Sequence, residues 1–381
     1  MSSRWDEQTM MPSGAAELGD SKREAELEAE SFNAWVQARK DDDFNGFEPK
    51  LKEMFQLKKE RGMPSTRLDD IFGELKKDLV PLVKSVIDAG DMKLPAALTD
   101  AAWPVDTQAE LCLEIAKDLG FDTERGRFDV SVHPFTGGVG PSDVRITTRY
   151  NEKNWMEGIG GTIHEVGHAL YEQGRSQLQQ DLPVSRALSM GVHESQSLLW
   201  ERMVFKDVDA MEFYRAVNRV QPGLIRTEAD ELTYPLHIML RYGLEKAMLE
   251  GETTVAELPS KWNAEMKESL DIDVPSNAMG CLQDVHWSVG AIGYFPSYSL
   301  GAMMAAQFYE AAKKAIPDLE EQIAKGNFSP LKTWLNENVN PHVGSLDESP
   351  DELLTVVTGK PLDTAIYMKY LREKYSELYS L

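Results

Sequence analysis

Gly160-Gly161-Thr162-Ile163-His164-Glu165-Val166-Gly167-His168 is the stretch from which the rest of the chain can be read. The spacing His-Glu-x-x-His on a helix puts His164 and His168 one turn apart on the same face. Two neutral imidazoles so placed can hold one zinc ion, and Glu165 beside them can polarise a water there. The plainer reading is an ordinary helix on which three residues coincide, so the surrounding sequence has to decide.

A zinc site of this kind needs a third protein ligand and an open position for water. One common arrangement has a third His six residues on, but that position is Gly174. The other has a Glu on a following helix. Glu194, in Gly191-Val192-His193-Glu194-Ser195-Gln196, starts the next helical pattern and is the candidate, with Glu172 and Glu201 as competitors. Its plain reading is a helix-start acid favoured by the macrodipole.

The chain has 381 residues, enough for a sizeable core, and 42% hydrophobic content fits a globular protein. Its 40 basic against 63 acidic residues leave a net charge of −23, which argues against nucleic acid or an anionic membrane as partner. Cys112 and Cys281 have no metal-type spacing and read as reduced core thiols. No apolar run is long enough to span a bilayer, and the first 20 residues lack a signal-peptide core. A cytoplasmic location follows as an expectation.

Apolar residues recur at helical spacing through most of the chain. Leu27, Phe32, Trp35 and Val36, then Phe47, Leu51, Met54, Phe55 and Leu57, predict two helices joined at Lys40-Asp41-Asp42-Asp43. Residues 1–20 read as a helix end and turn. Further helices are predicted over 67–89 and 106–119, and later over 191–205, 208–219, 222–250, 254–270, 297–315, 317–325, 328–338, 350–357 and 362–376. Phe128 to Phe135 and Val144 to Tyr150 alternate with period two around Gly137-Gly138-Val139-Gly140-Pro141, a hairpin reading. Asn154 and Glu157 resemble a capping box for the helix carrying His164, which Gly174 closes. The fold class is mainly α with one small sheet, without internal repeats.

Three polar blocks stand out from this pattern. In a strand, Asp143, Arg145 and Thr147 share one face, and an Arg held by an Asp can clamp a carboxylate; a solvated ion pair is the alternative. If residues 222–250 form one helix, Arg226, Asp230, Tyr234 and His237 make a stripe with Arg241 beyond, and Pro235 bends it. His286 lies in Gly280-Cys281-Leu282-Gln283-Asp284-Val285-His286-Trp287, where an imidazole can donate to an oxyanion or rest as a satisfied core histidine.

Taken together, His133-Pro134-Phe135, Asp143-x-Arg145-x-Thr147, His164-Glu165-x-x-His168, His193-Glu194-Ser195-Gln196, Ile225-Arg226-x-x-Ala229-Asp230 and Gly280-x-x-Gln283-Asp284-x-His286-Trp287 resemble the carboxypeptidase Taq family of zinc carboxypeptidases. The resemblance is strong over residues 100–381 and looser over 30–100. It implies a helical, groove-containing zincin of the neurolysin and angiotensin-converting-enzyme type. It implies one Zn2+ per chain on His164, His168 and Glu194, with Co2+ or Mn2+ as substitutes, and Glu165 as general base. It further implies Arg145 or Arg226 on the substrate's terminal carboxylate and His286 in support of the transition state. Asp143, Thr147, His133, Gln283 and Tyr294 complete the substrate-binding set. Family members are commonly homodimers that release C-terminal residues with broad specificity.

By the same resemblance residues 1–381 form one metallocarboxypeptidase domain, with a shortened helical part over 1–100 and a catalytic core over 101–381. Trp5 to Gly14 resembles a segment the family normally carries further inside, and the stretch from Leu18 to Glu30 then jumps past a helical hairpin. Three other classes remain in view. An oligopeptidase would share the catalytic helix. A peptide-binding remnant would have no reason to keep Glu165. A di-iron carboxylate bundle needs a second Glu-x-x-His, which is absent.

Overall fold

Helical periodicity becomes helix over most of the chain, as the apolar spacing requires. The computed structural model describes residues 15–59, 66–92, 101–177, 182, 186–205, 211–342 and 349–381. The reading of residues 1–14 therefore lies outside the described residues, while 15–20 are helical. Two compact units emerge, one from Met1–Ala89 with Val220–Ser299 and one from Gly90–Arg219 with Leu300–Leu381.

In the first unit, α1 (Ala15–Asp41), α2 (Phe44–Lys59) and α3 (Thr66–Asp88) form as their periodicity predicts. The break falls at the acidic run: Asp42 takes a left-handed φ of 55°, and the Asp43 carboxylate accepts the Asn45 N–H at 3.1 Å. Leu51, Met54, Leu75 and Leu79 are fully buried, whereas Phe32 and Val36 stay exposed.

The predicted helix over 222–250 is corrected. Only Arg226–Glu228 form a single 3-10 turn, and the α-helix begins at Tyr234. Asp230 is responsible. Its carboxylate accepts the N–H groups of Leu232 (3.0 Å), Thr233 (2.9 Å) and Gln221 (3.1 Å), closing a loop where a helix would have continued. Pro235 consequently sits in the first turn of the helix Tyr234–Glu250, where its missing N–H is harmless, rather than in mid-helix where a bend was expected. The single-helix stripe is cut short; Tyr234, His237 and Arg241 share a helical face, while Arg226 and Asp230 lie before the helix.

Among the described residues, the first helix of the second unit is Val105–Asp118, numbered α4. Three strands follow, β1 (Gly126–Val130), β2 (Phe135–Gly140) and β3 (Asp143–Thr148). Their order is β1-β3-β2, with β1 parallel and β2 antiparallel to the central β3. This corrects the hairpin reading, because the glycine run is itself strand β2 and the turn is Pro141-Ser142. Gly138 explains the misreading. At φ 150°, a Cβ there would lie 2.0 Å from the Asp143 carbonyl oxygen, so the glycine serves close backbone approach at a bulge rather than a turn.

Helix α5 (Trp155–Gly174) packs against β2, β3 and α4 and is buried along most of its length. Its predicted capping box is also corrected. The Asn154 side chain makes no capping bond, and the Glu157 carboxylate instead accepts from Asn151 Nδ2 at 3.1 Å and pairs with Arg149. The chain then forms α6 (Met190–Leu198), a π-helical segment Leu199–Phe205 and α7 (Met211–Val217). The numbering continues with α8 for Tyr234–Glu250, α9 (Leu258–Leu270), α10 (Pro296–Ala315), α11 (Leu319–Ala324), α12 (Ser329–Asn338), α13 (Pro350–Thr358) and α14 (Thr364–Tyr379).

One buried acid of the first unit links packing to pH. Glu245 on α8 accepts the Trp287 indole N–H at 2.6 Å and the Gly293 N–H at 3.1 Å. Burial, only partly offset by those donors, pushes its carboxyl from 4.5 up to about 8. Between these values the folded chain keeps a proton that the unfolded chain has lost, so stability declines as pH rises through that window. Glu245→Gln is expected to remove this slope, which amounts to at most roughly 1.4 kcal/mol per pH unit. Denaturant titrations of both proteins from pH 5 to 8 check it; parallel pH profiles would refute the assignment.

Candidate metal centre

The Ser189 hydroxyl caps α6 by accepting the Val192 N–H at 3.1 Å. That start places Glu194 in the second turn, buried, rather than exposed in the first turn where the macrodipole reading would have it. Gly167 lets α5 approach α6 closely: a Cβ there would meet Ser197 Cα at 2.6 Å and the Gln196 carbonyl oxygen at 2.8 Å. Gly301 on α10 leaves space for the acid itself, since its Cβ would lie 2.8 Å from Glu194 Cγ.

Glu194 Oε2 lies 3.5 Å from His168 Nε2 and 4.0 Å from His164 Nε2. The ligand atoms of all three residues fall within 4.8 Å of one another. Ligand atoms each about 2 Å from one zinc ion lie roughly 3–4 Å apart, so two imidazoles and one carboxylate at these separations fit that ion in both spacing and donor type. The competing acids have other partners. Glu201, on the π-helical segment, contacts His164 Nδ1 at 2.8 Å. Glu172 contacts His193 Nε2 at 2.8 Å. Both lie outside the set of three.

The charges support one another. Burial alone would lower the His164 imidazole, but Glu194, Glu201 and Glu165 together lift it to about 9. His168 is lowered, chiefly by burial. Burial works against ionisation of Glu194, yet His164, His168 and Arg202 bring its carboxyl below the ordinary value. A divalent cation bound there would take the place of the His164 proton and leave both imidazoles neutral. Glu165 is 7% exposed, and the Thr136 hydroxyl lies 2.6 Å from its Oε2 and 3.0 Å from its carbonyl oxygen. Sequence reading missed Thr136 because its neighbourhood had been taken as a turn.

The other predicted residues divide between the units. In the second, Arg145 makes a bidentate pair with Asp143 at 2.9 Å and is 59% exposed along its side chain. Thr147 is buried, its hydroxyl accepting the Phe135 N–H at 3.0 Å and thereby bracing β2. His133 is exposed before β2.

In the first unit, Arg226, Gln283 and His286 gather around Asp284. The Asp284 carboxylate accepts from Arg226 Nε at 2.9 Å and Arg241 Nε at 2.6 Å. Gln283 Oε1 accepts the Arg226 N–H at 2.9 Å. The Arg226 guanidinium also lies 5.0 Å over the Tyr298 ring. Burial and the nearby Arg226 lower His286 to about 4, so it is neutral at pH 7. Its Nε2 meets Tyr298 OH at 3.0 Å, and its ring lies 5.5 Å from that of Tyr294.

A helical His-Glu-x-x-His centre completed by a glutamate on the next helix is the arrangement of a metallopeptidase. The sequence model of the carboxypeptidase Taq (M32) metallopeptidases matches residues 4–61, 58–209 and 205–375. Carboxypeptidase 1 of Bacillus subtilis is 39% identical over 389 residues, covering 91% of this chain and 77% of that protein. The crystal structure of an M32 carboxypeptidase from Deinococcus radiodurans superposes with a TM-score of 0.90 at 36% identity, over 96% of this chain and 81% of that one. Metallocarboxypeptidase 1 of Trypanosoma cruzi gives 0.88 at 34% identity, over 96% and 81%. The chain belongs to the carboxypeptidase Taq (M32) family, and it is a hydrolase acting on peptide bonds.

Because nothing short of backbone displacement admits a Cβ at Gly167, Gly167→Ala is expected to lower stability by about 1–3 kcal/mol and to spread the ligand set. Thermal melting together with zinc uptake against a chelator tests both effects. Unchanged affinity and melting temperature would mean that the close approach does not hold the centre.

Proposed function

We propose that the protein is a zinc-dependent carboxypeptidase that releases residues from the free C-terminus of peptides. The observation that carries this is the buried His164, His168 and Glu194 set with Glu165 beside it, in a chain of carboxypeptidase relatives. Zinc, when bound, supplies Lewis acidity that polarises a carbonyl and lowers the pKa of water towards ~7. His164, His168 and Glu194 would hold it. Glu165 takes the proton of the attacking water and passes it to the leaving amine. Thr136, by donating to Glu165, fixes which carboxylate oxygen is free to receive that proton.

An arginine that binds the terminal carboxylate makes the enzyme an exopeptidase. Arg145 and Arg226 are the candidates. Arg145 is already paired with one acid of its own. Arg226 shares Asp284 with Arg241, so these three side chains carry a surplus positive charge. His286, neutral at pH 7, is the candidate donor to the transition state. Broad side-chain acceptance and a homodimer, from the family resemblance, and a cytoplasmic location, from Cys112 and Cys281 read as reduced thiols, complete the reading. Among the described residues no helix is long and apolar enough to cross a membrane.

Incubation of the zinc-loaded protein with a free-acid peptide is expected to give, by mass, a ladder shortened from the C-terminus. Glu165→Gln should lower kcat by roughly 10²–10⁴-fold. Internal cleavage, or equal hydrolysis of the C-terminally amidated peptide, would overturn the exopeptidase reading.

A hydrogen bond to a charged group contributes about 1.5–3 kcal/mol. Thr136→Val should therefore reduce kcat by roughly 10- to 100-fold with little change in KM. Steady-state kinetics on one tripeptide measure this; an unaltered kcat would show that the hydroxyl does not serve the base.

A further inference from the structure

His193 precedes the ligand Glu194 but points its ring elsewhere. Its Nδ1 lies 2.5 Å from His168 Nδ1, and its Nε2 lies 2.8 Å from Glu172 Oε1. The other Glu172 oxygen is paired with Arg175. All three side chains are largely shielded, at 14%, 18% and 10% exposure for His193, Glu172 and Arg175. Burial raises the Glu172 carboxyl, but His193 and Arg175 outweigh it and keep it ionised.

We propose that His193 and Glu172, anchored by Arg175, are positioning residues that select the tautomer and ring orientation of the metal ligand His168. Ligation through His168 Nε2 selects one arrangement of hydrogens along this chain. An ionised carboxylate only accepts, so His193 Nε2 carries the hydrogen. A donor cannot face a donor, so His193 Nδ1, 2.5 Å from His168 Nδ1, offers a lone pair to the hydrogen that His168 carries there when its Nε2 is the ligating atom. The remaining lone pair of His168 lies on Nε2, the atom that faces Glu194 at 3.5 Å. His164 reaches the same end in one step, with Glu201 directly on its Nδ1. The two ligands are thus oriented by carboxylates at different removes, one direct and one through a second imidazole. Outer hydrogen bonds of this type typically change metal affinity by about 10–100-fold.

The inference rests on the metal-centre reading, and its test uses zinc affinity, measured by chelator competition, apart from turnover. His193→Phe keeps an aromatic ring and removes the acceptor; it should weaken zinc about 10–100-fold. His193→Asn returns an oxygen near the Nδ1 position and should recover a large part of that loss. Glu172→Gln, which differs by one atom and does not depend on repacking, should weaken zinc and alter the visible spectrum of the Co2+ form. Parental zinc affinity in both His193→Phe and Glu172→Gln would overturn the proposal. So would an Asn variant no better than Phe. A parent chain that takes up no zinc would overturn the centre itself. Zinc binding that follows this order in a chain without peptidase activity would support the positioning role and sink the activity reading alone.

Discussion

A buried carboxylate with nothing positive beside it does not stay ionised, and Glu194 sets what its surroundings must be. At 7% exposure it requires cationic or metal partners, and the two imidazoles of α5 supply the place for them. Meeting that requirement forces two helices together. A side chain at 167 would hold them apart, and one at 301 on α10 would collide with Glu194 itself, so glycine stands at both. The sheet behind α5 fixes the other side. β3 contributes buried Val144 and Ile146, and β2 brings the Thr136 hydroxyl onto the neighbouring acid, Glu165.

The first unit solves a different electrostatic problem. Arg226 and Arg241 lie almost wholly out of water with one carboxylate, Asp284, between them. Hydrogen bonds to the His237 carbonyl and to Gln283 engage the two Nη atoms of Arg241. Rings lie under both guanidiniums: Trp262 is 4.6 Å from that of Arg241 and Tyr298 is 5.0 Å from that of Arg226. Burial opposes ionisation of Asp284, but the two arginines win and hold it well below the usual carboxylate range. The Glu245 carboxyl, packed without such a partner, goes the other way.

Much of this was legible beforehand, and the misses share a cause. Helices appeared where apolar spacing persisted, because burial of one face suffices to place them. His164 and His168 were legible because imidazoles four positions apart share one helical face, whereas spacing left Glu194 as one of three candidate acids and only the family resemblance singled it out. The hairpin was misread because glycine signals both turns and close backbone contact, and spacing does not say which of the two holds at Gly138. The helix over 222–250 was misread because Asp230 can cap a loop or continue a helix. Only the presence of the Gln221, Leu232 and Thr233 N–H groups at its oxygens decides.

The choice among Glu172, Glu194 and Glu201 shows the limit most clearly. All three follow the paired histidines at plausible helical distance, and all three come to rest among the same imidazoles. Glu172, on the histidines' own helix, is kept from Nε2 by that geometry and reaches the outer nitrogen of His193. Glu201 lies one π-helical stretch beyond Glu194 and meets the outer nitrogen of His164. Glu194 alone faces the Nε2 atoms. An imidazole has two nitrogens on opposite edges. A site built from two of them therefore needs acids on the far edges as well as the near one, and a sequence motif records their number more readily than their sides.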